Sequence, residues 1–175
     1  MRVRVNHHID DDGLCAAAIV GNYMSYTITE PEKKALINIC GLIKESLGSM
    51  KHMVDVINKK QSELKSLVTY DEYVNRHKNY ASWKAYLECE IASLKKRFDE
   101  SYVELEELCV NIVELLESKK RIHKSFGTIV SIARDISSDE YKITCPDKFN
   151  YNSFSVMISR FNDSYNQILR DIDKL

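Results

Sequence analysis

Between Tyr80 and Ile136, apolar residues return every three or four positions almost without a break, and only Ser101 and Lys119 put polar side chains in the stripe. Such a period belongs to a helix that buries one narrow stripe against other helices. Read as one helix over about 70–137, the element carries a stripe of roughly 85 Å at ~1.5 Å per residue, too long for a compact globule. A chain built around it is expected to act by helix-to-helix assembly. Trp83, Leu87, Leu94 and Phe98, followed by Leu105, Leu108, Ile112 and Leu115, are the residues expected to form the interaction seam.

Two companion stripes accompany it. Leu36, Cys40, Ile43, Leu47, Met50, Val54, Ile57, Gln61, Leu64 and Val68 step strictly four and three. This helix begins at a capping box, Thr29 with Glu32, and Pro31 lies in the first turn, where a missing N–H costs little. Gly41 and Gly48 interrupt it, each at about 1 kcal/mol in propensity relative to alanine, and would let a neighbouring helix come close. Thr69 and Glu72 form a second capping box, at which the chain is expected to turn and start the long helix. The last stripe is Tyr151, Phe154, Ile158, Phe161, Tyr165, Ile168, Ile172 and Leu175.

The expected fold is therefore mainly α: an elongated three-helix antiparallel bundle or coiled coil with a small N-terminal strand-turn-helix. Its helices are expected over about 30–67, 70–137 and 150–174, within a unit of 29–175 that follows a separate unit of 1–28. The C-terminal helix is expected to return along the second. Because the second helix outreaches the others, part of its seam is expected to lie open. Open seams of this kind take up a second copy or another helical protein, so a homo-oligomer or a helical partner is expected.

Composition narrows the class further. Five glycines and two prolines in 175 residues leave little turn material, and the longest apolar run, residues 14–20, is too short to cross a bilayer. No membrane association is expected. With 25 basic against 26 acidic residues, no global field draws nucleic acid, and the basic cluster Lys119, Lys120, Arg121, His123 and Lys124 has no stacking aromatics interleaved. That cluster reads as a solvated helix face, and nucleic acid is not expected as a partner. Five widely spaced cysteines without a C-x-x-C pair point away from a disulfide framework or structural zinc and toward a reducing, cytoplasmic compartment.

One stretch carries chemistry. Residues 2–7 alternate Val3 and Val5 with polar side chains, as a short strand does, and residues 14–24 read as a small alanine-rich helix. Between them stands His8-Ile9-Asp10-Asp11-Asp12-Gly13, with the spacing H-x-D-x-D-G. An imidazole and two carboxylates at a strand end can converge on one divalent cation, and that donor mixture suits manganese or magnesium. The run from His8 to Val20 resembles the first motif of the DHH-family phosphoesterases, which act on short oligonucleotides, cyclic dinucleotides or pyrophosphate. The resemblance implies that His8, Asp10 and Asp12 are metal ligands. It covers only about residues 1–25, and the D-H-H triplet that completes the family's two-metal site occurs nowhere in the chain.

His52, His77 and His123 have no carboxylate or histidine at ligand spacing and read as solvated or packed residues. Trp83, near Tyr73, Tyr80 and Tyr86, makes an aromatic-rich helix start that serves either core packing or a partner. No serine or cysteine has a plausible base, and no glycine loop cradles phosphate. The functional expectation is a helical coiled-coil assembly or adaptor protein, with no cofactor and no catalysis by the isolated chain. The alternative is a manganese- or magnesium-dependent phosphoesterase of DHH type whose site a partner completes.

Overall fold

The computed structural model describes residues 28–70, 79–117, 124–138 and 145–171. All four elements among them are helices: α1 (Glu30–Tyr70), α2 (Asn79–Glu117), α3 (Lys124–Ser137) and α4 (Lys148–Asp171). The strand, turn and helix expected over residues 1–28 fall outside the described residues except at Ile28, which packs against the core.

The helices form a closed ring. α1 packs on α2, α2 on α3, α3 on α4, and α4 back on α1. Lys60 of α1 pairs with Glu90 of α2, and Cys109 of α2 neighbours Cys40 of α1 in the core, so these two helices run antiparallel. Tyr151 and Tyr165 of α4 meet Asp55 and Lys44 of α1 in the same opposed sense. Tyr102 of α2 donates its hydroxyl hydrogen to the Ile136 carbonyl of α3. Up-down-up-down order lets short connections join neighbours throughout.

The single helix expected over 70–137 is two helices. Arg134 lies 2.6 Å from Glu117, although seventeen residues of continuous helix would hold them roughly 25 Å apart. α2 and α3 therefore lie side by side, and the described residues hold four helices rather than three. The C-terminal helix correspondingly lies along α1 and α3, and touches α2 across the core, where the Phe98 and Phe154 rings meet edge to face at 6.2 Å. The start of α2 also differs. Thr69 belongs to the last turns of α1, Glu72 is outside the described residues, and α2 begins at Asn79.

Each helix obeys its local chemistry. At the start of α1 the Glu32 carboxylate accepts from the Thr29 N–H at 2.8 Å and from its hydroxyl at 2.9 Å, while the Thr29 carbonyl accepts from Lys33 N–H. Pro146 is buried ahead of α4. Next to it Asp147 caps the helix, its carboxylate accepting from Asn150 N–H and its carbonyl from Tyr151 N–H. Along α1, Leu36, Cys40, Ile43, Leu47, Met50 and Val54 are fully buried. In α2 the buried stripe leaves the expected phase after Phe98, passing through Tyr102, Leu105, Cys109, Ile112 and Leu116. Ser101, Leu108 and Leu115 sit half-buried at its edge. α3 buries a wider face, because Val130 and Ile132 join Phe126, Ile129, Ala133 and Ile136 against two neighbours. No polar or charged side chain is buried among the described residues.

Gly41 sits where α1 meets α4: a Cβ there would lie 3.4 Å from the Tyr165 hydroxyl. Gly48, in contrast, has open space in front of it.

Candidate interaction surface

α1 and α2 hold 41 and 39 residues, whereas α3 and α4 hold 14 and 24. The short pair therefore covers only part of the long pair. The cover ends near Asp55 of α1, where Tyr151 docks, and near Tyr102 of α2, where α3 ends. Past that level the two long helices continue as a two-helix arm for roughly 20 Å. Ile57, Leu87 and Ile91 are buried between them, yet lie outside the main core cluster.

Polar chemistry on the arm is organised by helical spacing. Tyr86 and Glu90 are four apart on α2, so their side chains share one face, and Lys60 reaches them from α1. Lys60 ion-pairs with Glu90 and sits 5.9 Å over the Tyr86 ring. The Lys60 ammonium first, and the Tyr86 hydroxyl second, hold the Glu90 carboxyl below its usual range. Glu90 in turn raises the Lys60 ammonium and the Tyr86 phenol. Beside this group Trp83 stacks on Tyr86, with ring centroids 5.3 Å apart and planes at 21°. Both rings are 48% exposed. Large flat side chains fixed by neighbours and open to water are the commonest anchors of protein contacts.

The expected seam residues thus divide three ways. Leu87, Phe98, Leu105 and Ile112 are fully covered by the chain's own helices. Leu94, Leu108 and Leu115 are half-buried, and Trp83 is open. Lys60 and Glu90, which fix Tyr86, carry no sequence signal of their own; only the antiparallel register of α1 on α2 brings them together. Two further exposed valines, Val103 and Val110, lie on the outer side of α2 with Glu106, Glu107 and Asn111 around a shallow groove.

His8, Asp10 and Asp12, the ligands implied by the phosphoesterase resemblance, lie outside the described residues, as do His77 and His123; His52 is exposed. The basic cluster is likewise outside them except for Lys124, the first residue of α3. No group of three metal-ligating side chains occurs among the described residues. No helix among them is long and apolar enough to cross a membrane. The chain matches no family model, no curated protein and no solved structure.

Proposed function

We propose that this chain is a helical assembly or adaptor protein of a reducing, cytoplasmic compartment. It associates with copies of itself and offers its arm to another helical protein. The observation that carries this reading is the excess length of α1 and α2, which leaves part of α2 without a covering helix among the described residues and sets Trp83 and Tyr86 in the open. The four-helix body serves as a rigid mount, and the chemistry is that of burial and charge rather than of a reaction. Light scattering on the intact chain tests it. A mass of at least two 20.3 kDa chains is expected at micromolar concentration, and a single chain's mass throughout that range overturns self-assembly.

A second reading rests on His8, Asp10 and Asp12 in their H-x-D-x-D-G spacing. Here residues 1–28 form a partial DHH-like unit that binds manganese or magnesium, and a partner supplies the remaining ligands for phosphoester hydrolysis. Calorimetry with manganese decides it: binding is expected in the native chain and lost in Asp10→Ala and Asp12→Ala. No binding to the native chain sinks this reading.

A further inference from the structure

The outer flank of α2 carries a second four-three repeat that no helix of the described chain covers; its continuation at Glu117 pairs with Arg134 of α3, so the C-terminal half lies beside α3. Its N-terminal half is Ala85, Cys89, Ala92 and Lys96, and its C-terminal half is Asp99, Val103, Glu106 and Val110. All are exposed except Glu106, which is half-buried. The valines are 54% and 40% exposed, a wasteful placement for β-branched side chains on a solvated helix face.

The two halves are complementary to each other. From 99 to 117, α2 has seven carboxylates and no lysine, arginine or histidine. From 81 to 97 it has Lys84, Lys95, Lys96 and Arg97 against Glu88 and Glu90, and Glu90 is already engaged by Lys60. The small residues fall in the basic half and the larger apolar ones in the acidic half.

We infer that this face pairs antiparallel with the same face of a second copy, about a two-fold axis passing between residues 97 and 98. The inference rests on the self-assembly reading and names its surface. In that register Val110 of one copy packs on Ala85 of the other, Val103 on Ala92, and Glu106 beside Cys89. Lys96 meets Asp99, and Glu100 flanks Lys96 as well. These layers follow the a-against-d packing of antiparallel coiled coils, and alanine opposite valine lets the backbones come close. An isologous contact closes after two copies. Parallel pairing would stack Lys96 on Lys96, Asp99 on Asp99 and Glu106 on Glu106, a like-charge arrangement at three layers. One contact opposes the antiparallel form: Glu88 flanks Glu106 of the second copy. Trp83 and Tyr86 stand on the α1 side of the arm, so the dimer leaves both arms open at opposite ends.

Cross-linking fixes the register. Glu106→Cys places a thiol opposite Cys89, the exposed cysteine among the described residues, whereas Cys40 and Cys109 are buried. Mild oxidation is expected to give an intermolecular disulfide from Cys89 to position 106, identified by peptide mass spectrometry. In parallel, Lys96→Glu is expected to raise the dimer dissociation constant at least tenfold, adding Asp99→Lys to restore it, and Glu88→Lys alone to tighten it. Lys96, Asp99 and Glu88 are exposed, and circular dichroism checks that each variant keeps its helix content. If the native chain dimerises but Glu106→Cys gives no link between 89 and 106, and Lys96→Glu leaves the affinity within twofold, this face is overturned while self-assembly stands. A link from position 106 to itself also overturns it, as the mark of parallel pairing. A native chain that stays monomeric overturns both.

Discussion

The four-helix body and the two-helix arm are made from the same two long helices, yet they hold together by different means. In the body α1 and α2 are backed by α3 and α4, so Leu47, Leu105 and Phe98 are enclosed from every side. In the arm each helix has one neighbour among the described residues. Ile57, Leu87 and Ile91 close a small cluster there, and an ion pair and a stacked ring pair guard its edge. Burial of apolar area contributes about 25 cal/mol per Å², so the body is expected to hold most of the free energy and the arm to open first. What the arm loses in stability it gains in accessible surface.

The sharpest way to break that contrast is to substitute one residue in each region. Leu105→Asp buries an unpaired carboxylate in the body and is expected to abolish cooperative folding, a cost above about 4 kcal/mol. Trp83→Ala removes a half-exposed ring from the arm and is expected to cost about 1 kcal/mol or less. Chemical denaturation measures both. Hydrogen exchange adds the spatial test: arm amides are expected to exchange through local openings well below the global unfolding energy, and body amides near it. Equal protection in the two regions would dissolve the distinction.

Alkaline titration of the two buried thiols probes the body. Burial pushes the Cys40 and Cys109 thiols up from an ordinary 9.0 to about 12; for Cys109, the neighbouring Cys40 and Glu106 add to the effect. In the unfolded chain these thiols ionise near 9.0, while in the folded chain they keep their protons. The folded state therefore binds more protons between the two values. Stability is expected to be level in these groups below pH 9 and to fall as pH rises toward 12, approaching ~1.4 kcal/mol per pH unit for each thiol. Replacing both cysteines by alanine should flatten that part of the profile, whatever it does to stability at pH 7. A thiol reagent at neutral pH should modify Cys89 at once and the buried pair only on unfolding.

The joint between body and arm carries a smaller effect. Tyr102 is 4% exposed and its hydroxyl holds the last turn of α3 through the Ile136 carbonyl. Tyr102→Phe keeps the ring and strands that carbonyl, so a loss of ~1 to 2 kcal/mol is expected in denaturant titrations. Exchange at the end of α3 should rise more than in the arm.

Much of the body was legible in the sequence because its signals are local. The stripe from Leu36 to Val54 is a strict heptad, and a strict heptad on a capped helix has one face to bury. Thr29 and Glu32 cap from three residues apart, so no tertiary knowledge is needed. The separation of α2 from α3 was hidden because Lys119 and Ile122 keep the three-four phase between them. A clue was nevertheless present: Val130 and Ile132 widen the apolar face beyond one stripe, as suits a short helix packed on two neighbours and not a rod. The shift of α2 from Ser101 to Tyr102 was open to the same reasoning, since Tyr102, Cys109 and Leu116 form a seven-residue series as regular as the one containing Leu108 and Leu115. The Lys60, Tyr86 and Glu90 group depends on cross-helix register, which periodicity does not set.

The smallest effects fall on glycines, and they separate a packing role from an accident of sequence. Gly48 lies in α1 with nothing within 4 Å of a would-be Cβ. Gly48→Ala is therefore expected to stabilise the chain by ~0.5 to 1 kcal/mol, through reduced backbone freedom in the unfolded state. Gly41 has the same intrinsic gain, but its Cβ would touch the Tyr165 hydroxyl at 3.4 Å, beneath the Lys44 ammonium that lies over that ring. Gly41→Ala should gain less than Gly48→Ala, and Tyr165→Phe, which removes the hydroxyl, should bring the two alanine variants level. Thermal denaturation of Gly41→Ala and Gly48→Ala, each alone and combined with Tyr165→Phe, measures the cycle. If Gly41→Ala matches Gly48→Ala with Tyr165 intact, then α1 and α4 are not held at close approach there, and the body is looser on that side than its buried stripe implies.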